Sequence, residues 1–291
     1  MIQTYAIMAH NLPDQLALLI DRLLPQGTQD RVVLHLDSGC DLWKHQRARF
    51  ASHASGRLTL VSNPTRVRWG HYTQISAQQR LLREALKQPF DYFHLTSGSD
   101  WPVRSPGQIA EEIASHGPRR PIFTDIWGEI QTERMDDWWF ERRKLRFRGT
   151  PRLNENIERA QIRASWIFSR WFRQAGLKRS RYAGQTWMKG SEWFSAPHDV
   201  AQRLLADYER LLRSGRLACT QCADEHVAPS VFSRNFADRI EPARRYIDWS
   251  ALGWHPKLLR AEDAEAILHS GAWFARKCDA GVDDFFLRLS S

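Results

Sequence analysis

The chain opens with two short apolar runs of strand length, TYAIMAH and RVVLHLD. Between them, LPDQLALLIDRLLPQG carries its apolar residues at helical spacing. Asp14 stands near the start of that helix and a Pro-Gln-Gly stop ends it. Strand, helix and strand in this order predict a parallel pair joined by a right-handed crossover. RLTLVS reads as a third strand, YTQISAQQRLLREALKQ as an amphipathic helix, and FDYFHLTSGSDWPV as a strand running into a loop. RSPGQIAEEIASHG follows as a helix opened by Ser105 and Pro106, then RPIFTDIW as a further strand. The first 130 residues therefore predict an α/β fold, with a mostly parallel central sheet flanked by helices.

The pattern changes between Arg142 and Tyr182, where thirteen Lys and Arg stand against two Glu, interleaved with Trp166, Trp171 and several Phe. This basic excursion, about 143–182, has two readings: a helical insertion with a solvated charged face, or a patch that meets an anionic acceptor or a membrane surface. Beyond it come a strand-like TWMKGSEWFSA, a helix in PHDVAQRLLADYERLLRSG, a short helix in ADEHVAPSVFSRN, a strand in ARRYIDWS and a last helix in AEDAEAILHSG. With no repeat or flexible linker, one domain over 1–291 is expected.

Charge adds a partner class. A net charge of +9 predicts attraction to nucleotides, anionic glycans, nucleic acid or acidic headgroups. No apolar run is long enough to span a bilayer and the start of the chain has no signal-peptide pattern, so the expectation is a cytoplasmic protein, peripheral at the inner membrane at most. The lone CTQC lacks a second pair for zinc, so Cys40, Cys219, Cys222 and Cys278 read as reduced thiols.

Ligands gather at the carboxyl ends of strands in parallel sheets, where this chain places His10, Asp37 and Ser97 to Asp100. Asp37 reads equally as a ribose or uracil contact and as a turn cap, and His10 reads more simply as a core histidine. No G-x-G-x-x-G, P-loop, H-E-x-x-H or G-x-S-x-G occurs, which argues against the reactions those motifs serve. In CADEHVAPSVF, Asp224 is placed to cap a helix, with Glu225 in its first turn. Arg245 and Lys277 lie downstream, and Lys277, closing the aromatic run SGAWFARKCD, reads either as a surface charge closing a helix or as a phosphate ligand held rigidly by that run.

Taken in order, YAIMAHNLPDQLALLIDRLLP, VVLHLD, VRWGHYTQISAQQRLLREAL, DYFHLTSGSDWPVRS, GQTWMKGSEWFSAP, ADEHVAPSVF, RRYIDWS and SGAWFARKCD resemble the core-2/I-branching glycosyltransferases. That family includes β-1,6-N-acetylglucosaminyltransferases and peptide O-xylosyltransferases. The resemblance implies a GT-A-like fold and an inverting, metal-independent transfer of a GlcNAc- or xylose-type sugar from a UDP-sugar to a glycan hydroxyl. No cofactor is implied beyond that donor. Glu225 matches the family's base and Lys277 its phosphate-binding lysine. The second phosphate ligand is Arg245 or, alternatively, His255 or Lys257. Ala9, His10, Asp37, Trp69 and Asp100 complete the expected nucleotide-sugar site. Gln131, Arg142 and Trp187 are the expected acceptor contacts, with Gln131 standing where the family has a glutamate. The missing cysteine framework and anchor suggest a bacterial-type member acting on a surface polysaccharide or a lipid-linked glycan. The rival reading is a basic, non-enzymatic nucleic-acid- or anionic-glycan-binding protein.

Overall fold

A computed structural model describes residues 1–140, 151–177, 179, 186–251 and 255–289. Arg142 and part of the 143–182 excursion lie outside the described residues. The first half runs β1 (Gln3–Ala9), α1 (Pro13–Leu23), β2 (Arg31–Leu36), α2 (Arg47–Ala51), β3 (Leu58–Leu60), α3 (Thr73–Ala85), β4 (Tyr92–Ser97), β5 (Asp100–Pro102), α4 (Pro106–Ser115), β6 (Ile122–Phe123) and β7 (Ile126–Gly128). After it come α5 (Glu133–Asp136), α6 (Pro151–Gln174), β8 (Lys189–Gly190), β9 (Ser195–Pro197), α7 (His198–Arg213) and α8 (Asp224–Phe236). The chain closes with β10 (Ile240–Glu241), β11 (Arg245–Ile247), α9 (Ala264–His269) and β12 (Phe274–Arg276).

The main sheet has the order β10-β6-β9-β4-β1-β2-β3. Strand β1 lies parallel to β2 and to β4, β2 parallel to β3, and β6 parallel to β10. Only β9 runs against its neighbours β4 and β6. Alternation along each strand sends side chains to two cores. Tyr5, Ile7, Val32 and Leu34 face α1 and the aromatic residues Trp101, Trp273 and Phe274, whereas Ala6, Val33, Phe93 and Leu95 face Ile75, Leu204 and Phe232. Helix α4 begins as expected: Ser105 and Gln108 form a reciprocal capping box, and Pro106 follows.

A second, three-stranded sheet, β11-β12-β5, lies beyond the carboxyl end of β4, with β12 antiparallel to β5. It carries the SGAWFARKCD segment. Trp273 and Phe274 are fully buried, and Trp273 Nε1 donates to Glu112 on α4 at 2.7 Å. The aromatic residues thus fix β12 against the body, and the strand ends in Arg276 followed by Lys277. Close backbone approach shapes the other wall. At Gly190 an added Cβ would sit 2.3 Å from the Asp125 carbonyl oxygen, so only glycine lets β8 lie this near to β7.

Candidate active site

Helix α8 starts after a tight turn in which Cys222 adopts φ 48° and its N–H donates to the Gly70 carbonyl at 2.9 Å. The N-cap is Ala223, and no side chain caps the helix. Asp224 is therefore not the cap that its position suggested. Its carboxyl turns inward instead, accepting from Gln74 Nε2 at 2.9 Å, and the same amide reaches Glu192 at 3.2 Å. Glu225, one residue on, turns toward solvent with 30% of its side chain exposed. Its Oε2 accepts from Arg134 on α5 at 2.8 Å and lies 3.6 Å from Lys189 Nζ on β8. Oε1 has no hydrogen-bond partner among the described residues. Lys189 is held in turn by Gln131 Oε1 at 2.7 Å and by the Trp127 ring at 5.2 Å. One carboxylate oxygen is thus clamped and the other is open.

Beside Glu225, the Glu192 and Asp224 carboxyls share the Gln74 amide. Burial raises both carboxyls, and their mutual repulsion raises Asp224 well above its ordinary value of 3.8. Both carboxyls therefore hold their protons more tightly than free ones do. The sign for stability follows. A carboxyl whose folded pKa is raised stabilises fully below its unfolded value, and that contribution is lost as pH rises toward the folded pKa. Asp224→Asn should therefore remove part of the stability lost as pH rises above about 4. Urea titrations of both proteins from about pH 4 upward check this, and parallel pH profiles would refute the raised Asp224 carboxyl. His226, buried beside Arg134 and Lys189, is pushed down to about 3 by burial and by those cations, so it stays neutral.

The cations come from the second sheet. Asp100, buried on β5, accepts from Ser97 N–H and Ser97 Oγ at 3.0 Å each. Arg276 Nη1 donates to Asp100 Oδ1 and to Ser97 Oγ at 2.5 Å, and its guanidinium lies 4.4 Å from the Trp193 ring centre. Arg245 approaches Asp100 from the other side at 3.6 Å, but only 3% of its side chain is exposed. Its Nη2 donates to the Leu95 and Phe194 carbonyls at 2.7 and 3.2 Å, and burial pulls it down to about 10. Asp100 is therefore a buried counter-charge for two arginines. Arg276 keeps 14% of its side chain exposed and is the more accessible of them. Lys277 is half-buried, and its ammonium makes no hydrogen bond or ion pair among the described residues. Burial and Arg276 both lower its pKa. Arg276 also acts electrostatically on Glu192, which ties the cations to the carboxylates of α8.

The remaining expected residues divide. His255 is exposed and lies edge-on to Trp69, ring centres 5.9 Å apart; burial, then Lys277 and Arg276, lowers its pKa. Trp69, His255, Arg276 and Lys277 are thus neighbours, drawn from three separate segments. Lys257 is saturated by acids, with Asp263 at 2.8 Å, Glu262 at 3.3 Å and Asp248 at 3.9 Å. It has no charge to spare for a phosphate. Asp37 forms a turn, its Oδ1 accepting from Gly39 N–H at 2.7 Å, while its own N–H extends β-pairing to the Ala9 carbonyl. Ala9 is a packing residue: a Cβ on Gly98 would come within 3.1 Å of its methyl. His10 is exposed and so is not the core histidine that its context suggested. Trp187, expected at the acceptor, is buried in the core instead. Gln131 joins the Glu225 cluster through Lys189. Arg134, Lys189, Glu192 and Arg276 were not singled out as site residues. Only the Arg-Lys pair ending an aromatic run could have pointed to Arg276. Among the described residues, no group of three or more His, Cys, Asp or Glu is placed to share a metal ion.

The family model for the core-2/I-branching enzyme matches residues 4–268 and stops short of Lys277. No curated protein sequence matches. Among solved structures, apo mouse xyloside xylosyltransferase 1 aligns with 94% of this chain and 96% of its own, at 9% identity and a TM-score of 0.41.

Proposed function

The chain belongs to the core-2/I-branching enzyme family and is a glycosyltransferase; from that premise we propose an inverting, metal-independent enzyme that moves a GlcNAc- or xylose-type sugar from a UDP-sugar to a glycan hydroxyl. Membership displaces the non-enzymatic reading. The observation that carries the mechanism is the Glu225 carboxylate, with one oxygen clamped by Arg134 and the other open. The acceptor O–H attacks the anomeric carbon, its proton passes to Glu225 Oε1, and the bond from that carbon to UDP breaks with its electron pair leaving on the diphosphate. A positioned base contributes typically about 10²–10⁴-fold.

The leaving diphosphate gains negative charge as the bond breaks, and fixed cations aimed at it stabilise the transition state. Lys277 and Arg276 take this role at the end of β12. Arg245 acts from behind, holding Asp100 and the carbonyls that shape the strand ends. Trp69 and His255 flank the donor, with Asp37, Ala9 and His10 at the β1–β2 edge. The acceptor is proposed to be a bacterial surface or lipid-linked glycan that meets Gln131 and Lys189.

Thermal shifts with a panel of nucleotide sugars test this reading, because a ligand bound only by the native state raises stability. UDP-sugars should raise the melting temperature equally with and without EDTA, and transfer should survive the chelator. A strict Mn²⁺ requirement would overturn the metal-independent mechanism.

A further inference from the structure

Helix α6 turns a wide apolar arc away from the body of the protein. At about 100° per residue, Leu153, Ile157, Ala160, Ala164, Ile167, Phe168 and Trp171 fall on one arc of about 100°. Leu153, Ile167, Phe168 and Trp171 on that arc are 47, 67, 50 and 59% exposed. The opposite side, which meets the body, presents Ser165 and Ser169, both buried, with the half-buried Ile162 and Phe172. Ser165 Oγ accepts from the Phe140 N–H at 3.2 Å, and Arg173 near the helix end donates to Asp137 at 2.8 Å. The helix is therefore mounted by a narrow mixed side, and its wide apolar arc is turned outward.

Along one flank of the apolar arc run Arg159, Arg163 and Arg170, all exposed, with Trp166 beyond them at 57%. Phe140, half exposed, packs against Phe168 with ring centres 5.2 Å apart and extends the apolar face. An apolar centre edged by arginine and tryptophan is the pattern of a helix lying in the headgroup layer of an anionic bilayer. We propose that α6 docks this protein in-plane on an anionic membrane surface. The charge pattern selects that occupant: the arginine row complements acidic headgroups, whereas a second copy packed antiparallel on this face would set one arginine row against another. No described helix is long and apolar enough to cross a membrane, so the contact is superficial. The opposite side of α6, through Ile162 and Ser165, lines a pocket with Trp69, Trp139 and Gln221, just before the turn into Glu225.

Co-sedimentation of the full chain with phosphatidylcholine vesicles, with and without 30% phosphatidylglycerol, tests this. Binding should require the anionic lipid, weaken in high salt, and fall about 10²-fold in Arg159→Gln/Arg163→Gln/Arg170→Gln, since each basic residue near such a surface contributes about fivefold. Ile167→Ser/Trp171→Ser should lose binding by a similar factor while keeping the wild-type melting temperature and UDP-induced shift, because both side chains are exposed. Equal sedimentation of wild type and both variants would overturn the proposal. So would a concentration-dependent dimer in sedimentation velocity that the Ile167→Ser/Trp171→Ser variant abolishes, which would make the face a contact between copies.

Discussion

Glu225→Gln should lower turnover by about 10²-fold or more while leaving donor binding nearly unchanged. The amide keeps the shape of the side chain and can still accept from Arg134 through its oxygen, so the local clamp survives. What it lacks is a basic oxygen where Oε1 is open. The loss should therefore appear in kcat, and calorimetry with UDP should give a near wild-type affinity. Wild-type turnover would remove Glu225 from the chemistry. A collapse of UDP affinity would make it a binding residue.

The second large effect is expected at Lys277. Its ammonium has no structural partner among the described residues, so Lys277→Ala costs the fold little. A charge-assisted contact to a diphosphate is worth about 1.5–3 kcal/mol, which predicts a loss of UDP affinity of roughly tenfold to a hundredfold at unchanged melting temperature. Arg276→Ala makes the informative contrast. It too should weaken UDP binding, but it also strips Asp100 of its nearest cation and leaves a buried carboxylate with Arg245 at 3.6 Å. That variant should lose stability as well as affinity. Unchanged UDP affinity in Lys277→Ala would place the phosphates elsewhere.

The alternation of strand and helix was legible because apolar periodicity is a local property. TYAIMAH, RVVLHLD and DYFHLT became neighbouring strands, and Ser105 capped α4 through its own near neighbours. Asp224 was misread for a related reason. A capping preference describes an isolated helix end, whereas Gln74, 150 positions away, draws this carboxyl inward. Trp187 was misread because an aromatic ring beside polar residues looks the same whether it covers a core or a sugar.

The sequence alone determined the α/β class, the family, and which two residues, Glu225 and Lys277, are the candidates for base and phosphate ligand, since type and order survive in the chain without coordinates. Tertiary structure alone decided that Arg276 rather than Arg245 is the accessible guanidinium, that Lys257 is neutralised by three acids, and that α6 turns its apolar face outward. Each of these depends on which charges lie within a few ångströms and which atoms reach solvent, and both are set by packing between segments far apart in the chain.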